Sequence, residues 1–349
     1  MRYSIQLATG ALAAYTLPRF SSTSIMSLAS QPFSQQRLPA LDGVRGLAIL
    51  LVLLGHFLGA LIAVPADSIW IYVPLSLRLT WSGVDLFFVL SGFLIGGILL
   101  DQRTATNYYQ VFYLRRLCRI FPLYYLTLFL FFALIAFGAT RLSPWLFDKP
   151  LPALAYLTFT QNYWSVWFVA KFGYPAFWPG VTWSLALEEQ FYVIIAVVIR
   201  KLQRGLLPLL VAFIVLAPVL RAICYFAFPH GALMGYLWLP MRADAPLLGV
   251  LIAYAWRQPA MHVWILAHQR VFALAALTLG GALIGLNVWR QELALSGSSV
   301  MTTIGYTWVA VFYACLLCLV LAQPAGGLAR GFGFRPLRWL GEISYGVYL

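Results

Sequence analysis

The chain has 349 residues, of which 62% are hydrophobic and 9% charged, and its mean hydropathy is +0.85. This composition excludes an ordinary water-soluble domain, in which about a quarter of the residues are charged. The 23 basic and 10 acidic side chains give a formal net charge of +13. Because the basic residues lie at the ends of apolar runs, the charge indicates orientation in a membrane and argues against a nucleic-acid partner.

The first 36 residues contain no acidic side chain and become rich in Ser and Gln from residue 21 onwards. A cleaved signal peptide is one interpretation, but the first apolar span follows almost directly. We therefore favour a disordered cytoplasmic tail over residues 1–36, or a true start near Met26. Residues 37–349 are predicted to form one transmembrane domain.

Eight apolar runs approach the length of about 20 residues that a helix needs to cross a bilayer. A ninth run begins near residue 339 and is cut off at Leu349, which predicts a domain truncated at its C-terminal end. The sequence therefore predicts an all-α, polytopic transmembrane helix bundle. The eight predicted spans are 41–61, 84–100, 111–138, 181–199, 206–228, 245–256 with its flanks, 271–289 and 300–322.

Residues 151–165 form a shorter apolar run that ends in Gln-Asn-Tyr-Trp, a composition typical of the membrane interface. A full crossing here would put either the basic cluster at 103–119 or the one at 200–204 on the outer side. We therefore predict a re-entrant or interfacial segment. The remaining crossings then place the N-terminus on the cytoplasmic side of a cell membrane, such as the bacterial inner membrane.

Metal and disulfide chemistry find little support in the sequence. All four cysteines lie in or beside apolar segments, and the Cys315-x-x-Cys318 spacing falls within a predicted membrane helix. Packing explains such a pair better than redox or metal chemistry does. We expect no metal.

Charged side chains within a membrane are costly, so those present are candidates for function or for structural pairing. Arg45 and His56 lie eleven residues apart in the first span, which returns the helix to within about 20° of the same direction. The two side chains are predicted to face one groove, about 16 Å apart along the axis. His56 alone could also be a structural imidazole that bonds a neighbouring helix.

Arg116 and Arg119 share a helix face at the start of the third span, and their forked donors suit phosphate oxygens. The alternative is that they only anchor the helix at the cytoplasmic boundary. In the fourth span, Glu188 and Glu189 point about 100° apart, so at most one faces a given cavity.

Two further acidic residues lie near predicted helix starts. Asp85 is a candidate partner for an imidazole or a cap for the second span. Asp244 lies just before the sixth span and is expected to pair with Arg242.

Five ordered motifs from residue 41 to the end resemble the acyltransferase 3 family of multi-pass membrane O-acyltransferases. The motifs are Leu-Asp-Gly-Val-Arg-Gly with Arg45-x10-His56, Gly-Val-Asp-Leu-Phe-Phe-Val-Leu-Ser-Gly-Phe-Leu, Arg116-x-x-Arg119, Trp-Ser-Leu-Ala-Leu-Glu-Glu-Gln-Phe-Tyr, and Gly-Glu-Ile-Ser-Tyr-Gly-Val-Tyr-Leu. The family's closing motif normally continues into a polar stretch and a last helix, which this sequence does not contain.

The resemblance implies about ten helices and transfer of an acyl group, expected to be acetyl, from acyl-CoA to a hydroxyl of a glycan, lipid-linked glycan or small molecule. It implies that His56 is the catalytic base, that Glu188 supports the pocket, and that Arg45, Arg116 and Arg119 bind the donor; Asp85 completes the predicted catalytic set. A transporter or flippase that uses the same intramembrane side chains is the alternative, because aligned ionisable groups also suit a substrate path.

Overall fold

The computed structural model describes residues 38–58, 77, 79–173, 177–290 and 297–349. The predicted tail at 1–36 lies outside the described residues. Within the described ranges, every regular element is helical, which confirms the predicted all-α class. In chain order the helices are α1 (Pro39–Leu53), α2 (Gly83–Asp101), α3 (Tyr108–Ala136), α4 (Ala139–Leu142), α5 (Pro144–Phe147), α6 (Ala153–Leu157), α7 (Gln161–Phe172), α8 (Phe177–Gly180), α9 (Trp183–Lys201), α10 (Leu206–Ala227), α11 (Gly231–Leu237), α12 (Leu239–Arg242), α13 (Asp244–Arg257), α14 (Pro259–Ala267), α15 (Gln269–Trp289), α16 (Tyr306–Ala322), α17 (Gly327–Phe332) and α18 (Arg335–Tyr348).

Seven helical stretches in the described part of the chain are long and apolar enough to cross a membrane. They correspond to seven of the eight predicted spans and confirm a polytopic bundle. Two of them include π-helical turns, at Leu54–Leu58 after α1 and at Met301–Gly305 before α16. The seven are Pro39–Phe57, Thr80–Asp101, Tyr108–Ala136, Trp178–Lys201, Leu206–Ala227, Gln269–Trp289 and Met301–Ala322.

The predicted span at 245–256 is a shorter helix than expected. Helix α13 has 14 residues, which at about 1.5 Å per residue reaches only two thirds of a hydrocarbon core roughly 30 Å thick. The short helix α12 precedes it, and α14 follows after Gln258. Pro240 and Pro259 both occupy first-turn positions of new helices, which divides the apolar run.

The segment predicted as re-entrant or interfacial forms two short helices, α6 and α7. Helix α7 has 12 residues and is therefore too short to cross a bilayer. The exposed rings of Trp164 and Trp167 lie on its surface, and aromatic residues of this kind are enriched at membrane interfaces.

Close helix contacts through glycine hold the centre of the bundle together. A Cβ atom added to Gly92 of α2 would lie 1.9 Å from the carbonyl oxygen of Pro246 in α13. The reciprocal Gly249 would come within 2.1 Å of the Val89 oxygen. Small residues allow backbones to approach in this way, and membrane helix pairs depend on such packing.

The same kind of glycine contact joins α1 to α18. A Cβ on Gly341 of α18 would lie 1.8 Å from the Asp42 oxygen, and one on Gly46 of α1 would lie 1.8 Å from the Leu337 oxygen. Helix α18 begins at Arg335 rather than near 339, because Pro336 fits the first turn of a helix. The first and last described helices are therefore neighbours.

Two buried ion pairs cross the bundle, and they correct the predicted pairing of Arg242 with Asp244. Arg242 contacts Asp85 at 2.8 Å, whereas Asp244 contacts Arg221 at 2.9 Å. Side chains two positions apart along helical backbone point to nearly opposite sides, so Arg242 and Asp244 cannot face each other. The pairs instead connect α12 to α2 and α13 to α10.

Candidate active site

A series of cavities runs through the bundle, and neighbouring cavities share lining residues. We name them the arginine cavity (about 220 Å³), the middle cavity (about 50 Å³), the apolar cavity (about 350 Å³) and the polar cavity (about 670 Å³). One stripe of the first span, Arg45, Ile49, Val52 and His56, lines them in succession. The structure therefore places Arg45 and His56 along one groove, as their spacing predicts.

The arginine cavity contains the three arginines that the sequence singles out. Arg45 from α1 lines it together with Arg116 and Arg119 from α3. The Arg116 guanidinium lies over the Tyr192 ring at 4.5 Å from its centroid and over Phe112 at 5.6 Å. Stacking of this kind fixes the plane of the guanidinium while its N–H groups remain oriented for oxygen acceptors.

Glu188 lies where the arginine cavity meets the middle cavity and lines both. The Ser91 and Tyr192 hydroxyls both donate hydrogen bonds to its Oε1, and the two hydroxyl oxygens are 2.6 Å apart. Glu189 is absent from the lining of the four cavities, which confirms that only one carboxylate of the pair faces this space. The cluster connects α2 with α9 beside the arginines.

The middle cavity is the narrowest part of the series. It shares Phe87, Leu185 and Glu188 with the arginine cavity, and Ile49, Val52 and Tyr348 with the apolar cavity. Its volume of about 50 Å³ holds little more than one water molecule, which occupies about 30 Å³ in the liquid.

His56 lies in the π-helical turn at the end of α1 and lines both the apolar and the polar cavity. Its Nδ1 is 2.8 Å from the carbonyl oxygen of Val52. Because a carbonyl only accepts, Nδ1 carries a proton in this bond. Whenever the ring is neutral, this bond leaves the lone pair on Nε2. Single π-helical turns are frequent at functional sites.

The two cavities at His56 differ in chemistry. The polar cavity has aromatic walls from Trp145, Trp183 and Tyr236, and the charged side chains of Asp148 and Lys149 also line it. Lys149 has a positive φ of 51°, an uncommon conformation for a residue with a side chain. The apolar cavity shares His56, Trp145 and Val181 with the polar one and is otherwise lined by hydrophobic residues and Tyr348.

Asp85 lies away from these walls. It is fully buried in the first turn of α2, where its carboxylate contacts Arg242 at 2.8 Å, and it does not line any of the four cavities. The side chain makes no capping hydrogen bond to the start of α2. The Arg242 guanidinium in turn lies over Tyr306 at 4.1 Å and near Tyr236, a wall of the polar cavity, at 5.6 Å.

Several lining residues escape prediction from the sequence. Ser91 and Tyr192 stand within motifs that the sequence analysis quotes, and their polar groups in apolar helices are a usable signal. Trp145, Asp148 and Lys149 lie in a connection between spans, where the search for intramembrane charges does not reach. In the described ranges, no group of three or more His, Cys, Asp and Glu residues is arranged to hold a metal ion.

Comparison with known proteins identifies the family. The chain is 26% identical over 334 residues to the peptidoglycan O-acetyltransferase OatA of Listeria monocytogenes, covering 91% of this chain and 49% of that protein. It is 27% identical over 336 residues to the putative peptidoglycan O-acetyltransferase YrhL of Bacillus subtilis, covering 89% and 48%, and 25% identical over 326 residues to the O-acetyltransferase OatA of Staphylococcus aureus, covering 91% and 50%.

The chain thus spans about half the length of the curated relatives it matches. No solved structure gives a significant match. The model of the acyltransferase domain known as Acyl_transf_3 matches residues 38–349, nearly the whole chain. The chain belongs to the acyltransferase 3 family.

Proposed function

We propose that this domain is a membrane O-acetyltransferase that moves an acetyl group from acetyl-CoA to a hydroxyl of a glycan. His56 is the general base, and the cavity series is the path between the donor and the acceptor. The observation that carries the proposal is that one groove joins three arginines at one end to an imidazole of the basic tautomer at the other.

The arginine cavity suits the phosphates of the donor. Arg45, Arg116 and Arg119 line it from two helices, and arginine forks match phosphate oxygens better than the point charge of lysine does. The extended arm of coenzyme A would then lie along the groove towards His56, which is about 16 Å from Arg45 along the helix axis.

The chemistry follows from the orientation of His56. Nε2 accepts the proton of the acceptor hydroxyl while the oxygen attacks the thioester carbonyl, forming the new C–O bond. The C–S bond then breaks, and the thiolate receives the proton from the imidazolium, which restores the neutral ring. Val52 keeps Nδ1 protonated throughout, so the same nitrogen serves every turnover.

The polar cavity suits the acceptor. Sugar rings have apolar faces and polar edges, which fits a cavity with the indoles of Trp145 and Trp183 and the charges of Asp148 and Lys149. The names of two relatives point to peptidoglycan as the acceptor, and we propose a cell-wall glycan of that class here. The polar cavity would then open to the outside of the membrane, and the arginine cavity to the cytoplasm.

The deciding experiment compares His56→Ala with the unchanged protein, purified in lipid and supplied with radiolabelled acetyl-CoA and glycan fragments. We expect transfer to fall by about 10²–10⁴-fold, the usual contribution of a general base. Donor binding, measured by equilibrium dialysis, should stay unchanged because the arginine cavity is intact.

Turnover that persists in His56→Ala would remove this residue from the reaction. Movement of the glycan across the membrane without consumption of acetyl-CoA would favour a transporter instead.

A further inference from the structure

Tyr348, near the end of α18, lies between the middle cavity and the apolar cavity that His56 lines. It lines the middle cavity on one side and the apolar cavity on the other. The lining of the arginine and middle cavities includes Ser344 and Tyr345, one turn earlier on the same helix. Helix α18 therefore lines the arginine, middle and apolar cavities, and Tyr348 lies where the middle cavity meets the apolar cavity that His56 lines.

Two hydrogen bonds tie the Tyr348 phenol to the start of α9. Its hydroxyl donates to the carbonyl oxygen of Val181, and it lies 2.6 Å from the Ser184 hydroxyl. Since the phenol proton is used on Val181, Ser184 is the donor in the second bond. Ser184 lines the middle cavity, and Val181 lines both cavities at His56. The Tyr348 phenol thus lies at the boundary between the middle and the apolar cavity.

The middle cavity is small compared with the cavities on either side of it. A volume of about 50 Å³ admits a water molecule but no extended pantetheine arm. Either the arm displaces the phenol, or it never reaches His56.

On the basis of the proposed function, we propose that Tyr348 is a specificity-determining residue that keeps water and the donor thioester apart until the acyl group passes it. With the phenol in place, water from the polar cavity does not reach a thioester held on the arginine side. The thioester meets the acceptor hydroxyl at His56 only when the donor arm displaces the phenol. Without it, water from the polar cavity reaches the thioester along the groove. Water then forms the C–O bond, the C–S bond breaks, and acetate and the free thiol leave.

Cysteine accessibility tests the barrier without requiring any activity. Ala48 lines only the middle cavity, whereas Leu53 lines the apolar cavity, so Ala48→Cys and Leu53→Cys report the two sides. Both are made in a Cys118→Ser background, which removes the exposed native thiol. Vesicles of known sidedness receive 2-aminoethyl methanethiosulfonate on the side that carries Lys149.

We expect Leu53→Cys to react in every background, and Ala48→Cys to react slowly with Tyr348 intact and fastest when Tyr348→Ala is added. Tyr348→Phe retains the ring and loses the two hydrogen bonds. In this background the reaction rate of Ala48→Cys should therefore rise up to about tenfold for each bond lost. Ser184→Ala should give a smaller increase in the same direction. The barrier would be overturned if Ala48→Cys reacted as fast with Tyr348 intact as with Tyr348→Ala. It would also be overturned if Ala48→Cys did not react in the Tyr348→Ala background.

The functional arm measures acetyl transferred per thioester consumed. Tyr348→Ala should lower this ratio at least fivefold, and Tyr348→Phe, which keeps the ring but loses the two bonds, should lower it less. A ratio unchanged in Tyr348→Ala contradicts the role in selectivity. If no variant consumes acetyl-CoA but the labelling pattern holds, the proposed function fails and the barrier stands.

Discussion

Arg116 is the residue in the arginine cavity whose orientation is most firmly set. Its guanidinium lies over two aromatic rings, at 4.5 Å from the Tyr192 centroid and 5.6 Å from that of Phe112. Tyr192 is itself held by its bond to Glu188. The neighbouring Arg115 is exposed and does not line any of the four cavities. On the proposed function, Arg116 binds the donor, whereas Arg115 is placed only to anchor the helix.

Arg116→Ala should raise the KM for acetyl-CoA about tenfold or more, because a hydrogen bond to a charged group contributes roughly 1.5–3 kcal/mol. The kcat should change little, since His56 is untouched. Arg115→Ala has the same loss of charge and is the matched control, with KM expected to stay within twofold. Steady-state kinetics with varied donor measures both. Equal effects of the two variants would favour the anchoring interpretation.

The pair of Asp85 and Arg242 shows that a buried charge within a family motif can be structural. Both side chains are at most 1% exposed, and removing one partner of such a pair leaves an uncompensated charge. Asp85 nevertheless belongs to the predicted catalytic set, so its role needs a test that separates folding from chemistry.

Asp85→Asn should lower the free energy of unfolding by about 3–5 kcal/mol, the usual cost of breaking a buried pair. The double variant Asp85→Leu with Arg242→Met should recover most of that loss, since it removes both charges. Thermal unfolding in detergent and acetyl transfer are measured together. Asp101→Asn is the control, because the Asp101–Arg257 pair is partly exposed at 14% and 19% and should matter less. A stable but inactive double variant would make Asp85 catalytic.

At the scale of single residues, sequence reasoning finds side chains whose cost in a membrane makes them conspicuous. Arg45, Arg116, Arg119 and Glu188 are of this kind, and all four line one cavity. The wall of the polar cavity is harder to predict, because Trp145 and Lys149 lie in a connection where such residues are common. Partners of buried charges are also hidden, since they depend on which helices become neighbours.

At the scale of elements, the contact of α2 with α13 depends on the absence of side chains. Gly92 and Gly249 each bring their helix against the backbone of the other. Helix α13 begins at Asp244, two residues after Arg242 at the end of α12. A separation of these helices would move both buried ion pairs.

Gly92→Ala should lower the melting temperature markedly, because the new methyl carbon would lie 1.9 Å from the Pro246 oxygen and overpacking costs about 1–3 kcal/mol. Gly281→Ala in α15 is the control, since nothing lies within 4 Å of the added Cβ. That variant should be as stable as the unchanged protein or more so, because Ala favours helix by about 1 kcal/mol. Thermal denaturation in detergent compares them. An equal melting temperature for both would contradict the close contact.

A comparison of the helices with the predicted spans shows where hydropathy identifies membrane helices correctly. Seven predicted spans are found because lipid requires long apolar helices with all backbone groups paired. The range 245–256 is predicted as a span although its helix is too short to cross. A helix enclosed by protein is apolar, as is one that faces lipid, so hydropathy predicts a span in both cases. Hydropathy reports the absence of water and does not distinguish these surroundings.

At the scale of the whole molecule, the distribution of basic residues predicts how the domain crosses the membrane. Lys201 is the last residue of α9, at the end nearer the arginine cavity, and Lys171 lies near the end of α7 towards the polar cavity; both are exposed. The positive-inside rule predicts that the end with more basic residues is cytoplasmic. Donor and acceptor would then approach from opposite sides.

Lys201→Cys and Lys171→Cys test this orientation in intact cells, in the Cys118→Ser background. An impermeant maleimide should label Lys171→Cys from outside and leave Lys201→Cys unlabelled until the cells are opened. The reverse pattern would place acetyl-CoA binding on the side where the cell does not make the donor. Labelling of both from outside would contradict the predicted number of crossings.

The hydrogen bond between His56 and Val52 lies within a single helical segment. If His56 is the base, as proposed, the bond that orients its ring comes from a residue four positions earlier in the same helical segment. During biosynthesis, this part of the site is ready as soon as its own helix forms, before α9 and α18 have been made. On the proposed function, the helices made later would complete the cavities around a proton acceptor whose orienting bond already exists.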